Sequence, residues 1–295
     1  MDDNGSNSII AQLEALPPLP QTVAEVLRVT NDGESSANDL VKAILPDQAM
    51  CIAVLKIANS AFYGRPKAVS SLETAVMVLG FSEVQNIVLA KAAVQVFQPT
   101  LQAYRHDLDP FWDHSFTTGL AARIIGEHIN LPSGRFFVAG LLHDIGKLAM
   151  LLAHGEAYNP KIWLNGITSP ARREEERRLF KVDHGLVGSR LLQRWQFPDT
   201  LVAALQYHHH PLPGDRLQGY PLVVQLADFL AHMLVLPQRP DEQTLKTALS
   251  DHLPEFERQW QATGLPWEEV TLESWFAWLK VDRDNGSAIL DILAL

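Results

Sequence analysis

The sequence predicts an essentially all-α protein, a compact two-lobed molecule with an N-terminal helical module packed on a second helical module. Three observations carry this expectation. Apolar residues recur at helical spacing through most of the chain. Side chains able to cap helix N-termini stand just ahead of several of those runs. An alternating strand pattern is almost absent. The chain has 295 residues, 47% of them hydrophobic, enough for the core of one large or two ordinary domains.

Residues 1–8 read as a disordered polar tail, without the positive charge and apolar core of a signal peptide. An N-terminal module is expected over 9–105. Within it, Asp47 follows Pro46 as the N-cap of a helix that carries Met50, Val54, Ile57 and Ala58 on one face. Ser70-Ser-Leu-Glu73 reads as a capping box before Ala75, Val76 and Leu79, with Gly80 closing that helix. Ser82-Glu-Val-Gln85 reads as a second capping box with Phe81 as its staple, opening a helix that runs toward Phe97 and stops before Pro99. The second module is expected over 106–236, with helices near 112–129, 134–153, 174–195, 199–209 and 219–235. Gly155 to Ser169 reads as a connection. Residues 237–295, with Trp260, Trp267, Trp275 and Trp278, read as a helical extension packed on the body.

A net charge of −10 and a pI near 5.5 argue against a surface that coats nucleic acid. Arg172, Arg173, Arg177 and Arg178 alternate with Glu174, Glu175 and Glu176, which reads as a solvated helix with internal ion pairs. The single cysteine, Cys51, falls in an apolar stretch and reads as a small core residue; the cysteine count suits a reducing cytoplasm. Leu222 to Leu236 is apolar but broken by Gln225, Asp228 and His232, so no membrane span is expected there.

The chemistry is expected around Gly140-Leu-Leu-His-Asp-Ile-Gly-Lys147. On a continuous helix Asp144 shares a face with Phe137, Leu141, Leu148 and Leu151, and a carboxylate there is costly unless paired or bound to metal. His114, His184, His208, His209 and Asp228 lie in similarly apolar, helix-like surroundings, and imidazole with carboxylate is a ligand set for zinc, iron and manganese. Each residue alone has a plainer explanation. Asp144 can pair with Arg123, His232 can form an i, i+4 pair with Asp228, and short His runs occur on surfaces. Their co-occurrence is what points to one buried cluster. No Gly-x-Ser-x-Gly elbow or phosphate-cradling glycine loop is present in the sequence.

These residues resemble the HDOD family, the HD-related output domains of bacterial signalling proteins. The likeness rests on Leu16-Pro-Pro-Leu-Pro20, Asp47, Asn59-Ser-Ala-Phe-Tyr-Gly64, Val69-Ser-Ser-Leu-Glu73 and Leu79-Gly80 in the first half. In the second it rests on Phe111-Trp-Asp-His-Ser115, Gly140-Leu-Leu-His-Asp-Ile-Gly146, Asp183-His184, Trp195 and His208-His209. It implies an all-helical fold whose second half is distantly similar to HD phosphohydrolases and HD-GYP cyclic-dinucleotide phosphodiesterases. Carried over position by position, it implies His114, His143, Asp144 and Asp228 as metal ligands, and His184, His208 and His209 as ligands or supports of a second ion. Lys147 matches a lysine that meets phosphate in the HD-GYP enzymes, although a side chain reaching out to solvent is an equal alternative. The two-metal enzymes' glutamate ligand has no clear counterpart, with Glu174, Glu175 and Glu176 standing before His184. Gly219-Tyr220-Pro221 lies too far after His209 to be a GYP signature.

Two functions follow. The first is a signalling output or scaffold module that binds protein partners or a small phosphorylated ligand. The second is a metal-dependent phosphohydrolase or phosphodiesterase. The resemblance implies a divalent or iron-type metal ion for the second and permits one in the first.

Overall fold

The computed structural model describes residues 18–60, 63, 68–97, 101–131, 133–164, 170–212, 217–236, 240–266 and 272–294. Among these the regular elements are all helices, with no strand. The expected 1–8 tail, Pro99, Trp267 and the Ala61, Phe62 and Gly64 positions of the family-like motif lie outside the described residues. Two compact units result. One is built from described residues of Pro17–Gln102 and Asp282–Leu295, the other from those of Ala103–Val281.

The first unit contains α1 (Gln21–Asn31), α2 (Ala37–Ile44), α3 (Gln48–Ala58), α4 (Leu72–Leu79) and α5 (Phe81–Phe97). Local chemistry sets their starts. Ser36 and Asp39 form a reciprocal capping box on α2. Asp47 accepts the Met50 N–H at 2.9 Å and caps α3, as its place after Pro46 predicts. The α4 cap is Ser71 rather than Ser70: its Oγ accepts the Thr74 N–H at 3.2 Å, one residue later than the capping-box spacing suggests. The Ser82 box does not form. Gly80 closes α4 at φ +92°, a backbone that glycine tolerates, and α5 begins at once at Phe81. Gln85 instead donates to Thr30 Oγ1 at 2.7 Å. Asn59 donates to the Leu55 and Val69 carbonyls and accepts the Val69 N–H, tying the end of α3 to the approach of α4. Cys51 is half-buried rather than a core residue.

The second unit contains α6 (Arg105–His128), α7 (Ser133–Leu142), α8 (Ile145–His154), α9 (Pro160–Trp163), α10 (Pro170–Phe180), α11 (His184–Arg194), α12 (Asp199–Tyr207), α13 (Gly219–Leu234), α14 (Glu242–His252), α15 (Phe256–Ala262) and the first part of α16 (Leu272–Ala294). Two expected helices are each two. The 134–153 run turns at His143-Asp144, so Asp144 stands at the N-terminus of α8 and not within a continuous apolar face. The 174–195 run breaks between Phe180 and His184, where Lys181 takes φ +66° and Asp183 caps α11 through the Leu186 N–H at 2.9 Å. At His143-Asp144 the apolar period runs through the break because both flanking helices bury apolar faces. Gly134–Ala157, taken as one segment, is apolar enough to cross a bilayer by composition, yet its most apolar window is 83% buried in the protein; core packing accounts for its character.

Glycines let the site-bearing helices touch. A Cβ on Gly146 of α8 would lie 1.9 Å from the His184 carbonyl oxygen, and one on Gly140 of α7 would lie 2.6 Å from the Thr118 oxygen of α6. Backbone-to-backbone approach at these two points brings His184 and His114 in toward the His143-Asp144 turn.

Candidate metal centre

Five parts of the second unit converge. His114 comes from α6, His143 and Asp144 from the α7–α8 turn, and His184 from the first residue of α11. His208 and His209 follow directly after α12, and Asp228 and His232 lie one turn apart on α13. His143, Asp144, His184 and His208 are buried, while His114, Asp228 and His232 sit at the slightly exposed edge, at 10–20% side-chain exposure. His210, next in the run, is exposed and belongs to the surface.

Asp144 is the hub. Its Oδ2 lies 2.6 Å from Lys147 Nζ and 3.2 Å from His143 Nε2; its Oδ1 lies 3.2 Å from His184 Nε2 and 3.8 Å from His208 Nε2. Asp228 Oδ1 lies 3.0 Å from His114 Nε2, 3.8 Å from His143 Nε2 and 3.0 Å from His232 Nδ1. The structure therefore brings together His114, His143, Asp144, Asp228, His184, His208 and His209. Three overlapping groups have ligand atoms all within 4.8 Å of one another: Asp144 with His184, His208 and His209; His114 with Asp228 and His232; His114 with His143 and Asp144.

The orientation of the imidazoles is the strongest chemical sign. His143 Nδ1 donates to the Gly140 carbonyl and His208 Nδ1 to the Leu205 carbonyl, both at 2.7 Å. Those bonds point each Nε2 inward, toward the two carboxylates. His143 Nε2 and His208 Nε2 are buried without a hydrogen-bond partner, and what faces Asp144 Oδ1 and Asp228 Oδ1 is imidazole nitrogen at 3.0–3.8 Å. A buried polar atom left unpaired costs about 1–3 kcal/mol, so two such ring nitrogens turned toward buried carboxylates are a shared cost. A cation among them removes it, and the donor set of imidazole nitrogen and carboxylate oxygen fits zinc, iron or manganese.

The electrostatics agree. Burial pushes the Asp144 carboxyl up, but His143, Lys147 and the bond from His184 hold it well below the usual carboxylate range. Asp228 is likewise held low against burial by His232, His114 and His143. Burial lowers His208 to about 3, reinforced by His143 and His184, and takes His209 well below its ordinary value. Burial acts the same way on His184, but Glu176 and Asp144 override it and raise that imidazole to about 9. Without metal, the second proton on His184 supplies part of the positive charge that the carboxylates attract.

Three positions differ from the sequence expectation. Lys147 does not reach solvent: it is 3% exposed and ion-paired to Asp144, because the turn at Asp144 places the two side chains on the same inward side. Arg123 pairs with Glu127 at 2.9 Å, not with Asp144. Glu176 is not part of a solvated charge run. Glu174 and Glu175 stay outside with Arg177 and Arg178, but Glu176 is 1% exposed and bonds His184. Its place four residues before the buried Phe180 was the sequence signal for an inward face. His232 makes the expected contact with Asp228, and its ring lies 4.3 Å, centroid to centroid, from that of His114 at a 54° tilt, which puts it in the cluster.

The HDOD domain family matches residues 16–211 of this chain. An uncharacterised protein of Treponema pallidum is 25% identical over 264 residues, which cover 87% of this chain and 50% of that protein. The chain thus spans about half the length of that curated relative. Among solved structures, a candidate phosphohydrolase from Shewanella amazonensis is similar at TM-score 0.72 and 22% identity, over 97% of this chain and 98% of its own. A candidate signal transduction protein from Marinobacter aquaeolei has TM-score 0.72 and 19% identity over 99% of this chain and 66% of its own. A Geobacter sulfurreducens HDOD domain protein of unknown function has TM-score 0.62 and 20% identity over 98% and 97%. At these identities the structural likenesses establish a shared fold.

Proposed function

This chain belongs to the HDOD domain family, and from that membership we propose a signalling output module whose second unit carries a metal centre. The observation behind the metal is the pair of buried, unpartnered ring nitrogens at His143 and His208, turned toward the Asp144 and Asp228 carboxylates. His114, His143, Asp144 and Asp228 would hold one ion. Asp144, through its other oxygen, would share a second with His184, His208 and His209. On this reading the ion fixes five chain segments in one arrangement, and the protein acts by binding a signalling protein or a small phosphorylated ligand in an aqueous, reducing compartment. Its acidic charge disfavours nucleic acid as that partner.

The specific observation that keeps hydrolysis in view is the slightly open edge at His114, Asp228 and His232, which gives a small ligand an approach. A metal bound there would supply an activated water, its pKa lowered toward ~7, and polarise a phosphoryl oxygen. The chain's own contribution would be modest. His143 and His208 are oriented by their backbone bonds, Asp144 is kept ionised, and Lys147 offers a compact charge to phosphate only by sharing its grip on Asp144. The buried Lys147–Asp144 pair favours the signalling reading over turnover.

Elemental analysis of the purified chain, beside a panel of phosphoesters and cyclic dinucleotides, tests both. Bound metal without turnover supports the first reading and metal with turnover the second. Absence of metal after loading with zinc, iron and manganese would overturn the centre.

A further inference from the structure

We infer that Glu176 is the positioning residue of the second metal subsite, fixing the His184 ring so that its Nε2 faces the ion. The inference rests on the metal-centre reading above and adds a residue and a role to it. Glu176 lies on α10, does not reach the ligand atoms of Asp144, and is held on both of its oxygens. Oε2 accepts from His184 Nδ1 at 2.7 Å and from the His184 backbone N–H at 3.0 Å; Oε1 accepts from the Tyr158 hydroxyl at 2.6 Å. Both Glu176 and Tyr158 are essentially sealed from solvent.

An imidazole can turn about its last torsion, and which nitrogen faces a ligand is set by the bond the other makes. His143 and His208 use backbone carbonyls for that purpose. His184 is different: it is the first residue of α11, so no carbonyl one turn earlier on its own helix can take its Nδ1–H. Glu176 supplies the missing acceptor and binds the same residue's main chain, so ring and helix start are clamped together. The clamp also brings charge. The direct ligands of the second subsite are three imidazoles and Asp144, which is shared with the first; the Glu176 carboxylate adds negative charge one ring-width behind. A carboxylate behind a ligating histidine raises ligand basicity, and losing such a partner costs 10–100-fold in metal affinity. Tyr158, stacked with Trp163 and packed on Phe180, fixes the carboxylate in turn.

The test uses the full chain with Glu176→Ala, Glu176→Gln and Tyr158→Phe. Zinc titration against a competing chelator, with metal counted by elemental analysis, is expected to give two ions for the parent. Glu176→Ala should weaken the second ion ~10–100-fold and leave the first within about threefold. Glu176→Gln, which keeps an acceptor but not the charge, should fall between, and it serves if the alanine variant fails to fold. Tyr158→Phe should give a smaller loss of the same kind. Nitrogen-15 NMR of the metal-free protein is expected to find the His184 Nδ1–H hydrogen-bonded in the parent and that bond lost in Glu176→Ala. Equal second-ion affinity in parent and variants, or an unchanged His184 Nδ1–H hydrogen bond in Glu176→Ala, would overturn the inference. A parent that binds no ion yet shows the Nδ1 bond and its loss in Glu176→Ala would overturn the metal-centre reading and leave the positioning role intact.

Discussion

Asp144 and Lys147 carry most of the risk at the scale of single residues. Their 2.6 Å pair lies inside the protein, where removing one partner strands the other's charge. Asp144→Ala is therefore expected to release metal from both subsites and to destabilise the second unit by about 3–5 kcal/mol, read by elemental analysis and denaturant midpoint. Lys147→Met should keep metal and fold nearly as well as the parent, because the stem's packing survives and Asp144 still has the ion. If Lys147→Met lost the metal while folding normally, the ammonium rather than the carboxylate would be organising the site. Lys91 makes a second, separate case. It is 1% exposed within the first unit, burial holds its ammonium below the ordinary lysine value, and its hydrogen bond goes to the Ile292 carbonyl at 3.3 Å. One such bond contributes about 0.5–1.5 kcal/mol, less than the desolvation of an ammonium. Lys91→Met should thus raise the denaturant midpoint, and a lower midpoint would mean the bond outweighs the burial.

At the scale of elements, the site depends on how closely α8 and α11 approach. Gly146→Ala would drive a methyl into the His184 main chain, where no flexible side chain can yield. The helices must separate, at a cost of about 1–3 kcal/mol or more, and His184 must move away from Asp144. Melting temperature and second-ion content are expected to fall together; a fully loaded Gly146→Ala protein would show that the close crossing is not what seats His184. The same elements show what a sequence reveals. Asp47, Gly80 and the α12 and α13 spans were legible because their signals are local, a cap or a period within one turn or two. The breaks at His143-Asp144 and before His184 were not, because apolar periodicity continues across the first, no glycine or proline marks the second, and only distant partners explain the turns. Glu176 was hidden for a related reason. Three consecutive glutamates look alike until Tyr158 and His184, neither adjacent in sequence, select one. The histidines and aspartates themselves were legible as a set, since so many ligand-type residues on apolar faces have few other uses.

At the scale of the molecule, the three candidate ligand groups found among the described residues all belong to the unit formed by Ala103–Val281. Metal should protect that unit selectively. At a free zinc concentration of ~100 times Kd, binding contributes about 2.7 kcal/mol. Hydrogen exchange is expected to slow in α6, α7, α8, α11, α12 and α13 and to stay unchanged in α1–α5. Uniform slowing across the chain, or none, would contradict a centre confined to the second unit. The wide spacing of the ligands also sets an order of events in the cell. His114 leaves the ribosome long before Asp228, on the order of ten seconds at ~5–20 residues per second. The second subsite's ligands are complete once His209 emerges and the first's only with Asp228, and both sets span far more chain than the closely placed ligands of a zinc finger. The two spheres therefore close in chain order, the one at His209 before the one at Asp228, so a chain stalled or truncated between them would carry the second ion without the first.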